Sequence, residues 1–107
     1  MTGRIKDKVA LITGGAFGMG AETARIFAAE GAKVAIVDIL DDEGPKRVQE
    51  IESAGGVARF WRLDVTDDAA WAAVTAEVVK AFGRIDILVN NAGVSGSKYE
   101  DPFDETG

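Results

Sequence analysis

The stretch Val9-Ala10-Leu11-Ile12-Thr13-Gly14-Gly15-Ala16-Phe17-Gly18-Met19-Gly20 decides the fold. Its apolar first part, Val9 to Ile12, predicts a buried strand, because a short apolar run bounded by glycine is typical of one. A helical pattern begins near Gly18. A glycine-rich turn between a strand and a helix presents backbone N–H groups at the positive end of the helix dipole, and glycine admits positive φ and close ligand approach. The stretch therefore predicts a strand–turn–helix unit that holds the pyrophosphate of a dinucleotide.

The glycine spacing leaves a second interpretation open. The turn reads Thr13-Gly14-x-x-x-Gly18-x-Gly20, which is wider than the usual dinucleotide fingerprint Gly-x-Gly-x-x-Gly. The alternative is a turn that merely tolerates glycine. Gly20 is in line with Ala24 and Ala28, four residues apart, so that a ridge of small residues is expected on one side of the helix. Close packing is accordingly the main role expected for Gly20.

Composition restricts the classes of function. The chain has 107 residues, enough for one domain or part of one, and 47% of them are apolar, which argues against disorder. The net charge of −6 argues against a nucleic-acid surface. With no cysteine and no histidine, the commonest metal ligands and the commonest general base are absent, and no metal site is expected. No apolar run is long enough for a membrane span, and a cytoplasmic location is expected.

The chain alternates predicted strands and helices, which indicates an α/β fold with a parallel sheet and helices on its faces. The predicted strands are 9–12, 33–37, 57–63 and 85–89, and the helices run from about 18 to 30, from about 41 to 54 and from about 67 to 82. Thr66 or Asp67 is expected to cap the third helix. Trp71 is expected in the core, although an aromatic ligand platform is the alternative. The tail, 95–107, is polar.

Small or polar residues follow each predicted strand. The carboxyl ends of parallel strands share one edge of the sheet, where α/β proteins bind ligands. Four segments are expected to meet at this rim: Gly14 to Met19, Asp38, Asp64-Val65, and Asn90 to Gly93.

Asp38 is the most informative single residue of the rim. It comes 18 positions after Gly20, and an acidic residue about 20 positions after the glycine turn typically bonds a ribose hydroxyl of NAD. No Arg or Lys lies in the turn or directly after Asp38 to offset repulsion of a 2′-phosphate. The sequence therefore predicts NAD rather than NADP. The alternative is that Asp38 is only a solvated loop acid.

These motifs resemble those of the short-chain dehydrogenases/reductases. Thr13 to Gly20 is similar to that family's Thr-Gly-x-x-x-Gly-x-Gly signature, Asp64-Val65 to its adenine-pocket motif, and Gly83 to Gly93 to its Gly-x-x-Asp-x-x-x-Asn-Asn-Ala-Gly segment. The resemblance implies a Rossmann-type fold, here partial with about four strands and three helices, and hydride transfer between a nicotinamide and an alcohol or ketone. It also implies that Asp86 is structural and that Asn90 ties strands together. The cofactor-binding residues implied are Gly14, Phe17, Gly18, Met19, Asp38, Ile39, Asp64, Val65, Asn91, Ala92 and Gly93.

One departure from the family pattern is large. The family's catalytic Tyr-x-x-x-Lys, serine and further asparagine follow the Asn-Asn-Ala-Gly motif, whereas Tyr99 here is followed four positions later by Phe103, and Ser95 and Ser97 come too early. No catalytic residue is assigned, Lys98 included. Residues 1–107 therefore resemble the N-terminal, NAD-binding portion of a single-domain enzyme, which would be a homo-oligomer at full length, and are expected to be inactive alone. The alternatives are a non-catalytic nucleotide-binding half-Rossmann module and a structural fragment that binds nothing.

Overall fold

The computed structural model describes residues 5–91 of the chain. Strands and helices alternate throughout, as the sequence predicts. Most predicted boundaries agree with the observed ones to within one or two residues. The elements are β1 (Val9–Thr13), α1 (Gly18–Ala29), β2 (Lys33–Asp38), α2 (Glu43–Ser53), β3 (Val57–Arg62), α3 (Asp68–Phe82) and β4 (Ile87–Asn90).

The four strands form one parallel sheet in the order β3-β2-β1-β4. The prediction of a Rossmann-type parallel sheet is confirmed. The chain passes from β1 outward to β2 and β3 and then returns to place β4 on the other side of β1. The strand order thus reverses between β1 and β4, which is the point where such sheets open a crevice for ligands.

Helices pack on both faces of the sheet. Successive side chains of a strand point to opposite faces, so each strand contributes apolar residues to both cores. Helices α1 and α2 cover one face, whose buried core is Ala10, Ile12, Ala16, Ala24, Ala28, Val34, Ile36, Ile51 and Ala58. Helix α3 covers the other face, whose buried core is Val9, Leu11, Ala35, Val37, Leu63, Val74 and Val78. Trp71 is half-buried against this second core, as predicted.

The third helix begins at an aspartate cap. Asp67 has extended backbone angles, and its Oδ1 accepts a hydrogen bond from the N–H of Ala70 at 3.0 Å. Of the two predicted candidates, Asp67 is therefore the cap. Thr66 instead donates its hydroxyl and its backbone N–H to Asp64.

The fourth strand begins at Ile87, two residues later than predicted. Asp86 exchanges hydrogen bonds with the start of β1 instead of continuing the strand: its Oδ2 accepts from the N–H of Val9 at 2.9 Å, and its own N–H donates to the Val9 carbonyl at 2.8 Å. Arg84 donates to the other carboxylate oxygen at 2.9 Å. These bonds hold the pKa of Asp86 below its ordinary value, Arg84 being the larger cause and Val9 the smaller. Asp86 therefore joins β4 to β1, in agreement with its structural interpretation.

Strand β4 occupies an edge of the described sheet. Ile87 and Val89 are half-buried against the core under α1 and α2, whereas Leu88 on the opposite face is 56% exposed. Within residues 5–91, no helix has both the length and the apolar character that a bilayer span requires.

Candidate functional site

A cleft of about 610 Å³ opens at the carboxyl ends of the strands. Nine of the eleven predicted cofactor-binding residues line it: Gly14, Phe17, Gly18, Met19, Asp38, Ile39, Asp64, Val65 and Asn91. The other two, Ala92 and Gly93, lie outside the described residues. Four lining residues were not among the predicted ones, namely Gly20, Leu40, Leu63 and Thr66.

The glycine turn forms the floor of the cleft below the start of α1. Gly14 and Gly18 have positive φ angles of 65° and 60°, which is the left-handed region that glycine adopts without a steric penalty. A Cβ built on Gly18 would have no neighbour within 4 Å, so this position faces open space. Phe17 occupies the N-cap position and contributes no side-chain cap. The first backbone N–H groups of α1 are therefore not satisfied by a capping side chain and can bind an anion.

Gly20 holds the turn against the helix. A Cβ at this position would lie 1.9 Å from the carbonyl oxygen of Gly14 and 2.6 Å from its carbonyl carbon, both of them backbone atoms. Gly20, Ala24 and Ala28 are all buried. The close packing predicted for Gly20 is confirmed, and it is the turn itself, through Gly14, that makes the contact.

Asp38 links the end of β2 to the glycine turn. Its Oδ2 accepts a hydrogen bond from the N–H of Ala16 at 3.1 Å, and its Oδ1 accepts one from the N–H of Leu40 at 3.1 Å. A carboxylate has about four acceptor positions, so two remain for a ligand. Asp38 is therefore more than a solvated loop acid, because it already orders two backbone segments at the rim.

Asp64 is held in a turn of its own at the end of β3. Its Oδ1 accepts hydrogen bonds from the Thr66 hydroxyl at 2.6 Å and from the Thr66 N–H at 3.0 Å. The bond from the hydroxyl and then that from the N–H hold the pKa of Asp64 below its ordinary value. Asp64 thus adds a carboxylate to the rim that is ionised at neutral pH.

The two asparagines after β4 differ in their surroundings. Asn90 accepts a hydrogen bond at Oδ1 from the Thr13 hydroxyl at 2.8 Å, which ties β4 to β1. Asn91 lines the cleft, and its buried Nδ2 has no hydrogen-bond partner among residues 5–91. A buried donor without a partner costs free energy comparable to a lost hydrogen bond. A ligand with an acceptor oxygen at this place would remove that cost.

The walls beside the turn are apolar and exposed. Phe17 is 67% exposed, Met19 80% and Ile39 50%. A mostly apolar cleft with a few polar groups at fixed points is typical of cofactor sites. The features together fit a nicotinamide dinucleotide: an open helix N-terminus for phosphate, a carboxylate for ribose and apolar surface for the rings.

Sequence reasoning missed one charged pair at the margin of the cleft. Arg62 at the end of β3 lies opposite Asp38 in the register of the sheet, and its Nε is 3.1 Å from Oδ1 of Asp41. Arg62 and Asp41 are both distant along the chain from the glycine turn. The pairing of β2 with β3 is what brings Arg62 beside Asp38. The predicted strand 57–63 placed Arg62 close to a strand end, but nothing in the local sequence indicated that it would lie beside Asp38.

No group of three or more His, Cys, Asp or Glu side chains among residues 5–91 could hold a metal ion. The residues compared with the family's catalytic set, Ser95, Ser97, Lys98 and Tyr99, lie outside the described residues.

Known proteins are similar to this chain in sequence and in fold. The chain is 52% identical over 94 residues to a 2,5-dichloro-2,5-cyclohexadiene-1,4-diol dehydrogenase of Sphingobium indicum, covering 88% of this chain and 38% of that one. It is 44% identical over 110 residues to a trans-4-hydroxycyclohexanecarboxylate dehydrogenase of Sinomonas cyclohexanicum, covering 95% of this chain and 42% of the relative. The crystal structure of a hydroxysteroid dehydrogenase from Escherichia coli superposes with a TM-score of 0.83 at 39% identity, covering 95% of this chain and 44% of that one. The chain thus spans about two fifths of the length of these relatives.

The match to a family model agrees with the geometry of the cleft. The model is described as short chain dehydrogenase and matches residues 8–106, nearly the whole chain. Members of this family bind a nicotinamide nucleotide on a Rossmann-type fold. The named relatives are dehydrogenases. The chain belongs to the short-chain dehydrogenase family.

Proposed function

We propose that this chain is the NAD-binding part of an oxidoreductase that transfers hydride between the nicotinamide and an alcohol or ketone. The observation that carries the proposal is the placement of the Asp38 carboxylate beside the glycine turn, joined to it through the N–H of Ala16. In this arrangement the pyrophosphate site and the ribose-binding acid share one rim.

The glycine turn would hold the pyrophosphate. Gly14 and Gly18 shape the turn, and the uncapped N–H groups that follow Phe17 supply donors at the positive end of the α1 dipole. Met19 and Phe17 would cover the phosphates and the adjacent ribose from the solvent side, since both are large, apolar and exposed.

Asp38 and Ile39 would meet the adenosine ribose. The two acceptor positions that Asp38 retains suit the ribose hydroxyls. A 2′-phosphate in the same place would face the carboxylate, and two like charges about 4 Å apart repel by about 4 kcal/mol at the effective dielectric of a protein surface. NAD is therefore preferred over NADP.

The remaining lining residues would hold the two ring systems. Asp64 and Val65 would flank the adenine. Asn91, with Ala92 and Gly93 after it, would run beside the cofactor, and the buried Nδ2 of Asn91 would donate to a cofactor oxygen. A nicotinamide bound here would supply the chemistry of hydride transfer to or from the carbinol carbon of the substrate. The proton on the alcohol oxygen needs a general acid–base group, and residues 5–91 place none in the cleft apart from the carboxylates of the ribose and adenine regions.

The substrate proposed for the full-length enzyme is a secondary alcohol on a carbocyclic ring, or the corresponding ketone. Support comes from the two relatives, which are named for hydroxylated six-membered rings. With NAD, the full-length protein should oxidise cyclohexanol faster than 2-hexanol, an open-chain alcohol with the same number of carbons. A preference for 2-hexanol would contradict the ring specificity.

Calorimetric titration of the 107-residue chain tests the binding proposal. NAD should bind more tightly than NADP, and equal affinities or tighter NADP binding would contradict the assignment. The same chain mixed with NAD and cyclohexanol should form no NADH. Its tyrosine, Tyr99, has no lysine four positions later, so the acid–base pair expected for the reaction is missing. Steady NADH formation by the pure chain would overturn that part of the proposal.

A further inference from the structure

We infer that Asp41 is a second determinant of cofactor choice, because it withholds Arg62 from the place that a 2′-phosphate would occupy. This inference rests on the proposed function, since it concerns the same ribose site. It assigns a role to the ion pair between Arg62 and Asp41, neither of which is among the proposed cofactor-binding residues.

Arg62 and Asp38 are neighbours across the sheet. They are register partners on the parallel strands β2 and β3, and the N–H of Leu63 donates to the Asp38 carbonyl at 2.9 Å. The preceding pair on the same face, Ile36 and Phe60, packs into the core under α1 and α2. Because side chains repeat every two residues along a strand, Asp38 and Arg62 project to that same face, about 5 Å apart at the backbone.

Arg62 is chemically suited to a phosphate. Its guanidinium presents five N–H donors in a planar fork that matches phosphate oxygens. Its position at the cleft margin follows from its neighbours, because Leu63 on one side and Leu40 before Asp41 both line the cleft. A cation here would offset the repulsion between Asp38 and a 2′-phosphate.

Asp41 prevents this compensation in two ways. Its Oδ1 lies 3.1 Å from Nε of Arg62, so it neutralises the guanidinium and draws it toward the loop before α2. It also adds its own negative charge to the rim. The pair is exposed, with Arg62 56% and Asp41 64% accessible, and exposed pairs of this kind contribute little to the stability of the fold. Removal of Asp41 should therefore release Arg62 without disturbing the fold.

Calorimetry of four variants tests this inference, with the ratio of NADP affinity to NAD affinity as the measured quantity. In the Asp38→Ala background, Asp41→Asn should raise the ratio about threefold to fivefold, because the exposed ion pair that competes for the guanidinium is weak. Adding Arg62→Gln should remove that gain, because the gain depends on the guanidinium. Asp42→Asn is the matched control: it removes the same charge from the adjacent exposed residue, which has no side-chain cap bond, and should leave the ratio unchanged.

The outcomes separate the two proposals. An equal rise for Asp41→Asn and Asp42→Asn, or a rise that survives Arg62→Gln, would overturn the inference and leave the NAD-binding proposal standing. An unchanged NADP-to-NAD affinity ratio after Asp41→Asn, in a chain that still binds NAD, would also overturn the inference alone. Failure of the unmodified chain to bind either dinucleotide would overturn both proposals. Circular dichroism of each variant shows whether the fold is retained.

Discussion

The carboxylate of Asp38 accepts a hydrogen bond from the backbone N–H of Ala16, with 3.1 Å between oxygen and nitrogen. This bond joins the residue proposed to read the ribose to the turn proposed to hold the pyrophosphate. The two parts of the site are therefore mechanically connected before any ligand arrives, and changes at Asp38 should affect both charge and loop order.

Two substitutions separate these roles of Asp38. Asp38→Asn removes the charge and keeps one side-chain oxygen acceptor, whereas Asp38→Ala removes both. Each should narrow the preference for NAD over NADP by about tenfold to a hundredfold, since a partly exposed charge is screened below its full Coulomb value. Asp38→Ala loses both backbone hydrogen bonds and should lower the free energy of unfolding by about 2 kcal/mol, whereas Asp38→Asn keeps an acceptor for only one of them and should lower it by about half as much. Calorimetry and urea denaturation measure the two effects, and an Asp38→Asn chain with an unchanged preference for NAD would contradict the charge argument.

Gly20→Ala should destabilise the fold more than Gly18→Ala. At Gly20 the added methyl would meet backbone atoms of Gly14, which cannot rotate away, and overpacking of this kind costs about 1–3 kcal/mol. At Gly18 the methyl meets nothing within 4 Å, and the cost is the strain of a positive φ, about 1 kcal/mol. Urea denaturation measures the loss in free energy of unfolding for both variants. A larger loss for Gly18→Ala than for Gly20→Ala would contradict the packing role of Gly20. NAD titration of Gly18→Ala tests separately whether that position must stay open.

Asp67→Ala should weaken α3 at its first turn. The Asp67 side chain accepts the N–H of Ala70, and loss of such a cap typically costs about 1 kcal/mol. Asp67→Asn is the matched control, because asparagine is an equally good capping residue and should keep most of the stability. Thermal unfolding followed by circular dichroism compares them. Equal losses for the two variants would mean that the charge of Asp67, not its capping bond, is what matters.

Asp86 should make stability depend on pH in the acid range. Its pKa is depressed in the folded chain, so its ionised form contributes stability above its unfolded pKa of about 4, and that contribution is lost as the pH falls through the folded value. At neutral pH, Asp86→Asn should therefore be less stable than the unmodified chain, and the difference should shrink below about pH 4. Urea midpoints measured from neutral to acid pH show this directly. A difference that stays constant over the whole range would contradict the linkage.

Arg84→Gln provides the companion test for Asp86. It removes the larger cause of the pKa depression and leaves the N–H of Val9 in place. The carboxyl resonance of Asp86, followed by NMR through an acid titration, should then move its midpoint toward the ordinary aspartate value. A midpoint that does not change would show that the N–H of Val9 and the charge of Lys8 account for the lowered pKa without Arg84.

The sequence by itself determined the features that depend on residues close together in the chain. Apolar runs, helical spacing and glycine stops predicted all seven elements, and the small or polar residues after each strand predicted the rim. Parallel strands bring their carboxyl ends to one edge, so nine of the proposed cofactor-binding residues could be foreseen at a common cleft without knowledge of the strand order.

The tertiary structure alone decided contacts between residues far apart in the chain. Strand order places β4 beside β1, which brings Asp86 to Val9, and it places β3 beside β2, which brings Arg62 next to Asp38. The choice between Thr66 and Asp67 as the helix cap is a local one, which the structure decided because Thr66 donates to Asp64 whereas Asp67 accepts from Ala70. Strand order and register are set by burial of both sheet faces at once, and no local pattern carries that information. The opening stretch predicted a strand–turn–helix unit, whereas the charged residues beside Asp38 became known only from the assembled sheet.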